Sequence, residues 1–542
     1  MSSPASPPNT VELDALIVGA GFGGVYQLKH LRDEGYNVKL VDFGGDFGGV
    51  WYWNRYPGAR VDSDIPQYEF SDESLWKGWQ WSQRFPGSAE IREYFAYVAD
   101  KWDLRKDAEF GVFIAGATWD EETCKWTIVS KCGKQYRAQF FLLNTGFAAK
   151  RYTPDWEDIG KFSNWLHPSY WPHEEPDLRG KKIAVIGTGA TGIQLAQELS
   201  KIASDLVLFQ RTPNLCLPMA QVEYQGGEQA RPKEQYSGLF DRRQVTYGGF
   251  FFDFLDRATF DDTPEQRRKT YQELWDKGDF HFWLATYNDM LFNADANKEA
   301  YDFWKAKVRA RIRDLKLQEI LAPDIQPHSF GCKRVSLENG FYEIFNQPNV
   351  SLVDVKTTPI VNVDETGINT TEKHWDLDYV VCATGFDSMT GGLTQIDIRG
   401  VSGQSLKDKW KSGVKTYLGM TVVGFPNMFI TYGPQAPTAF CNGPTCAEYQ
   451  GNFTIRTLNA MKSNNFRRIE PKADAEEKWV EKIHDLADAS LFPTAKSWYM
   501  GDNIPGKTRE CLVYLGGVRT FLEALNEEAD AGYPNFEKGQ SL

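Results

Sequence analysis

Two glycine fingerprints constrain this chain more than any other feature. Gly19-Ala-Gly21-Phe-Gly23-Gly24 and Gly187-Thr-Gly189-Ala-Thr191-Gly192 each follow an apolar run, Asp14-Ala-Leu-Ile-Val18 and Lys181-Lys-Ile-Ala-Val-Ile186. Such a run reads as a buried parallel strand. The turn after it aims backbone amides at a helix N-terminus, where a pyrophosphate can sit. The turn needs glycine at 19, 21 and 24, and again at 187, 189 and 192. One match alone is weak evidence, but two in strand-turn-helix context support each other.

The two units part company where their second strands end. Asn37-Val-Lys-Leu-Val41 ends in Asp42, about 20 residues past the turn, where a carboxylate takes ribose hydroxyls. That suits a dinucleotide without a 2′-phosphate, as FAD is. Leu206-Val-Leu-Phe209 leads instead into Gln210-Arg211-Thr212, and a cation there suits the 2′-phosphate of NADP.

At 542 residues the chain exceeds the size at which a single core stops growing, about 250 to 300 residues. Several lobes are expected. A formal net charge of −13 disfavours nucleic acid or an anionic membrane as principal partner. The longest apolar runs, Gly249-Phe-Phe-Phe252 and Phe140-Phe-Leu-Leu143, fall far short of the roughly 20 residues that span a bilayer. The start of the chain reads as a disordered tail, not a signal peptide. Eight cysteines without repeated CxxC spacing read as buried small hydrophobes in a reducing, cytoplasmic setting. The histidines show no metal-ligand spacing, so no metal is expected.

The expected fold class is α/β, two Rossmann-like dinucleotide-binding domains for FAD and NADP with a helical insertion in the NADP domain. Residues 1–10 form the tail, 11–150 the first part of the FAD domain with a strand hairpin over Thr118 to Thr127, and 151–220 a linker and the first part of the NADP domain. The insertion spans 221–330, the NADP domain resumes over 331–380, and 381–542 completes the FAD domain with a mobile loop near 491–510. Thr263-Pro264-Glu-Gln266 predicts a helix starting at Pro264. Tyr301, Trp304, Val308, Ile312 and Leu315 recur at helical spacing and predict one amphipathic helix packed on a core.

Between the strands of the first unit and the hairpin lies Gly48-Gly49-Val-Trp51-Tyr-Trp53-Asn-Arg55-Tyr-Pro57-Gly58-Ala-Arg60-Val-Asp62, too rich in Gly, Pro and aromatics for a regular element. This stretch resembles the GGxWxxxxYPGxxxD fingerprint of type I Baeyer-Villiger monooxygenases, the cyclohexanone monooxygenase-like flavoenzymes. Phe330-Gly-Cys-Lys333-Arg334, Ala383-Thr384-Gly385-Phe-Asp387, Tyr432-Gly-Pro434-Gln435 and Ser497-Trp498-Tyr-Met-Gly501-Asp-Asn-Ile-Pro505-Gly506-Lys507 agree with it. The resemblance runs nearly end to end. It implies FAD, NADPH and O2, with a ketone oxidised to an ester or lactone through a C4a-peroxyflavin.

The resemblance also assigns roles. Arg334 would stabilise the anionic oxygen, and Asp62 would orient that arginine. From the residues alone, Asp62 after a Gly-Pro turn is also an ordinary turn residue, and Arg334 an ordinary ion-pair partner. Gly49, Trp51, Thr191, Gln194, Ala383, Thr384 and Gly385 fall in cofactor-binding motifs, and Lys333 would join Arg211 and Thr212 at the 2′-phosphate. Trp498 resembles the tryptophan of a closing lid, and Phe147, Phe440 and Trp498 are candidate pocket residues. His167, Trp171 and Pro172 match the family's linker motif, but Phe162 stands one residue too near His167. Anchoring on His167 puts Lys161 at the phenylalanine position and Ser163 at the glycine. That departure bears on how NADPH use is coupled to oxygenation.

Three other readings compete. An N- or S-oxygenating flavin monooxygenase would need no such arginine. A disulfide reductase would need a cysteine pair soon after the first fold, where none stands, although Cys441 and Cys446 have the spacing. An uncoupled NADPH oxidase or silent nucleotide-binding protein would fit the altered linker.

Overall fold

The computed structural model describes residues 10–539 except 155, 157, 158, 226–228, 230 and 439. The tail expected over 1–10 lies outside the described residues save Thr10, which instead opens a strand, Thr10–Val18. That strand runs parallel to Val38–Asp42 on one side and to Gln135–Leu143 on the other. The apolar Leu16, Ile17 and Leu40 have no exposed surface, as expected for a sheet covered on both faces.

The N-terminal half of Gln135–Leu143 also pairs with the hairpin Ile114–Asp120/Lys125–Ser130. Its last three residues pair instead with Met428–Ile430, Met428 opposite Phe141 and Ile430 opposite Leu143. The late part of the chain therefore returns to the first sheet. Helix Gly443–Asn464 packs on Phe22–Asp33, the helix of the first fingerprint, with the Tyr26 hydroxyl donating to Asn452 Oδ1 at 2.7 Å.

A second, wholly parallel sheet runs in the order Val350–Asp354, Asp205–Gln210, Lys182–Ile186, Tyr379–Cys382, Trp165–Leu166. The boundary expected at 380 falls inside Tyr379–Cys382, so the second unit runs two residues further, to the end of that strand's pairing with Lys182–Ile186. The two fingerprint turns are built alike. A methyl group at Gly24 would collide with the Gly19 carbonyl oxygen, and one at Gly192 with that of Gly187. In both units the helix thus crosses its own strand end at a distance only glycine allows.

The insertion is helical. Pro264–Lys277 starts at the expected proline, capped by Thr263 and Gln266 in a reciprocal box. The aromatic stripe is corrected in part. Helix Ala294–Arg309 buries Tyr301, Trp304 and Val308, but it ends before Ile312. Leu315, 77% exposed, opens a separate helix, Leu315–Leu321, capped by Asp314. The intervening cap resets the helical phase, and Ile312 reaches the core from a loop.

The shifted linker finds its own solution. Phe162, not Lys161, is buried, in the core of the second sheet beside Ile186 and Phe209, and Lys161 is exposed. Among the cysteines, Cys132 is exposed while the other seven are buried, and all eight are unpaired. Among the described residues, no helix is long and apolar enough to cross a membrane.

Candidate active site

A cavity of about 960 Å³ is lined by both glycine turns. Gly19, Gly21 and Asp42 face it from the first unit, and Gly187, Gly189 and Thr191 from the second. Gly24 and Gly192 stay behind it as the crossing points of helix and strand. Gly49, with a left-handed φ of 54°, lies across from Gly21: a methyl there would meet the Gly21 Cα at 2.7 Å. The two turns thus leave bare backbone around a common space, as a pyrophosphate requires.

The Asp42 carboxylate is held by two amides, accepting from Ala20 N at 2.6 Å and Gly44 N at 2.5 Å. Burial pushes its pKa up, and those two donors oppose the shift. At the other strand end Arg211 and Thr212 border the cavity with Lys333. Lys333 is pushed down to about 8, first by burial and then by Arg211 and Lys356. Lys356 went unnoticed in the sequence. It follows strand Val350–Asp354, and the carboxyl end of a parallel strand is where ligands bind in such sheets. Arg211, Lys333 and Lys356 thus gather positive charge at this corner.

Gln194 has a more specific place than its helix position gave. Its amide accepts from the Tyr56 hydroxyl at 2.8 Å and donates to the Arg60 carbonyl at 3.1 Å. It therefore clamps the 48–62 loop onto the second unit while also facing the cavity. The same loop is braced from within by Trp51, whose indole donates to Tyr68 Oη at 3.0 Å.

At the end of that loop Asp62 meets Arg334, 272 residues away in sequence. Arg334 Nε and Nη2 donate to Asp62 Oδ2 at 2.9 and 2.8 Å. The guanidinium lies 5.1 Å from the Phe280 ring centroid and hydrogen-bonds Tyr499. Burial works against its charge, but its neighbours, Asp62 foremost with Tyr499 and Tyr432, together outweigh it, and its pKa is raised. Tyr499 and Phe280 were not among the expected site residues. For Tyr499 the signal was its place beside Trp498; Phe280 had none.

Beside Tyr499, Trp498 stacks on Phe147, centroids 5.3 Å apart at 16°. The segment around Trp498 is tied to the strand return at 383–388. Asn503 Nδ2 donates to the Phe386 carbonyl at 2.7 Å, and Lys507 Nζ reaches Asp387 Oδ1 at 3.0 Å. Ala383, Thr384 and Gly385 line the cavity on that side, and Thr384 Oγ1 donates to the Tyr152 carbonyl at 2.6 Å. Phe147 and Trp498 are lining residues, but Phe440 is not. It is 1% exposed and stacks on the equally buried Tyr499 at 5.6 Å.

His167, Trp171 and Pro172 of the linker motif do not line the cavity, although Ser169 and Tyr170 between them do. His167 is buried, its Nδ1 accepting from Ser169 N at 3.2 Å, and burial with the nearby Arg151 holds it down to about 4, so it is neutral. Trp171 is buried and Pro172 half-buried beside it.

Comparison with known proteins agrees with this geometry. Residues 13–233 match the family model described as pyridine nucleotide-disulphide oxidoreductase. A cyclopentanone 1,2-monooxygenase from Comamonas sp. (strain NCIMB 9872) is 47% identical over 97% of this chain and 96% of its own. An acetone monooxygenase (methyl acetate-forming) from Gordonia sp. (strain TY-5) is 40% identical over 97% and 99%. The closed crystal structure of a cyclohexanone monooxygenase superposes with a TM-score of 0.94 at 34% identity, covering 98% of this chain and all of that one. OTEMO in complex with FAD and NADP gives 0.93 at 33% identity, over 98% and 100%. With near-complete coverage at this identity, and both nucleotide cradles opening on one cavity, the chain belongs to the Baeyer-Villiger monooxygenases, FAD-containing and NADPH-dependent.

Proposed function

We propose that this enzyme oxidises small apolar ketones to esters or lactones, with the reacting carbonyl held between Arg334 and the Phe147–Trp498 wall. The observation that carries the reading is the Arg334–Asp62 pair, set in the cavity that both dinucleotide turns share. Bound FAD supplies the activated oxygen, and NADPH supplies the electrons.

The protein contributes charge, orientation and dryness. Arg334 keeps its charge at any working pH. Negative charge that develops on oxygen beside it is stabilised by a group already fixed in place, an effect worth roughly 10²–10³ in rate. Asp62 fixes the guanidinium through two donors on one oxygen, and the Phe280 ring supports it from another side. Electrophilic N- or S-oxygenation has no need of such a cation, so the pair favours ketones. Trp498 and Phe147 exclude water from the reacting end. Arg211, Lys333 and Lys356 form the corner that takes the 2′-phosphate of NADPH, and Asp42 the edge that takes the FAD ribose. The unpaired cysteines favour a reducing compartment, and we place the enzyme in the cytoplasm.

The relatives named for cyclopentanone and acetone support a ketone panel as the test. FAD-loaded protein is incubated with NADPH, air and cyclic, linear and aryl ketones. Products are identified by mass spectrometry, and peroxide is quantified in parallel. Esters or lactones are expected. NADPH consumed with peroxide as the sole product across the panel would refute the reading.

A further inference from the structure

Asp279 breaks three rules for a buried loop residue at once. Its side chain is 0% exposed, neither carboxylate oxygen makes a well-formed hydrogen bond, and its backbone is left-handed at φ 57°. Both the buried unsatisfied acid and the left-handed backbone cost stability, and glycine at this position would relieve both. Strain of this kind persists where the surroundings over-determine it, often beside a functional site.

The surroundings are specific. Arg84 Nη2 stands 3.8 Å from Asp279 Oδ2 and 3.8 Å from Asp64 Oδ2, so two carboxyls share one guanidinium. Asp62 adds to the repulsion at Asp279, and Arg231 acts on Asp64. His281 on the same segment is neutral, held down to about 4. Burial, then the Asp64 carboxylate, push the Asp279 acid well above the usual range, with Arg84 opposing.

The place matters as much as the charge. Asp64 lies two residues beyond Asp62 in the 48–64 stretch. Arg84 Nη1 also donates to the Lys277 carbonyl at 3.1 Å and the Ala220 carbonyl at 3.2 Å. Asp279 N donates to the Pro218 carbonyl at 3.0 Å, and Pro218 pairs with Glu338 in the short strand after Arg334. The residue that follows Asp279 is Phe280, the ring beside the Arg334 guanidinium. Segments bearing Asp62, Arg334 and Phe280 thus meet at Asp279.

We propose that Asp279 is a positioning residue: through Arg84, shared with Asp64, it seats the insertion against the loop that carries Asp62 and so holds Phe280 against Arg334. The proposal rests on the ketone-oxygenating role of Arg334. If Asp279 did no more than occupy its turn, glycine would relieve both the backbone strain and the unsatisfied acid. A positioning residue would lose its role by the same change.

The test compares Asp279→Gly and Asp279→Asn with wild type. Asparagine tolerates the left-handed backbone and keeps the shape of the side chain. Thermal midpoints are measured on the FAD-loaded proteins. Turnover with a ketone that the wild type oxygenates, and peroxide released per NADPH, are measured on the same proteins. Asp279→Gly is expected to melt no lower than wild type, yet to lose about tenfold in saturated turnover. Its KM should stay within about twofold, with the lost electrons appearing as peroxide. Asp279→Asn should recover most of the coupling. The proposal is overturned if Asp279→Gly is fully coupled, if it melts well below wild type, or if Asp279→Asn fails as badly as glycine. Wild type giving no ester from any ketone would overturn the role of Arg334 itself, a distinct result.

Discussion

Lys333 makes the affinity for NADP depend on pH in a way that can be worked out beforehand. In the ligand-free protein, burial and its cationic neighbours bring it from 10.5 down to about 8. It therefore loses its proton as pH rises through about 8. A bound 2′-phosphate favours the charged form and returns the group toward its ordinary value, so tight binding exists below pH 8 and fades above it. With a free value of about 8 and a bound value back in the ordinary lysine range, roughly 10.4, the dissociation constant for NADP⁺ rises about tenfold from pH 7 to pH 9. Titration of the oxidised, FAD-loaded enzyme with NADP⁺ reads this without turnover. NAD⁺, which lacks the phosphate, should show no such slope. Lys333→Arg should bind NADP⁺ with no slope over the same range, and Lys333→Met should bind weakly at every pH. An equal slope for NAD⁺, or a slope retained in Lys333→Met, would refute the reasoning.

Three other substitutions test separate links of the account. Arg334→Ala should lower ester formation by roughly 10²–10³ while NADPH oxidation continues and yields peroxide; a loss of both together would place Arg334 in hydride transfer instead. Gly24→Ala drives a methyl into the Gly19 carbonyl, and the purified protein should be colourless, with the FAD fold opened; a yellow protein of wild-type absorbance would contradict the crossing geometry. Trp304→Ala removes a side chain with no exposed surface whose indole donates to the Cys216 carbonyl at 2.7 Å. It should cost about 3–5 kcal/mol in chemical denaturation, and a cost under about 1 kcal/mol would mean that the insertion does not pack on that residue.

The sequence displayed the parts of this molecule that are local. A strand, a glycine turn and a helix lie within some thirty residues, so both cradles and the contrast between Asp42 and Arg211 were readable in order. The capping box at Thr263 was readable for the same reason. What needs the third dimension was not. Arg334 and Asp62 stand 272 residues apart, and only the family resemblance brought them together. Phe440 was expected in the pocket, yet it is buried in a layer with Tyr499 and Phe492 and does not reach the cavity. Periodicity carried the helix of Trp304 through to Leu315 because a cap at Asp314 does not interrupt apolar spacing, although it restarts the helix. Lys356 and Asp279 act through neighbours from other segments, and no spacing marks them.

Oxygen labelling tests the central claim most directly. FAD-loaded enzyme is given NADPH, a cyclic ketone that it oxygenates and ¹⁸O2, and the lactone is fragmented in the mass spectrometer. The account predicts one heavy oxygen, in the ring and not in the carbonyl. Label in the carbonyl, or an unlabelled lactone, would contradict oxygen insertion at this site.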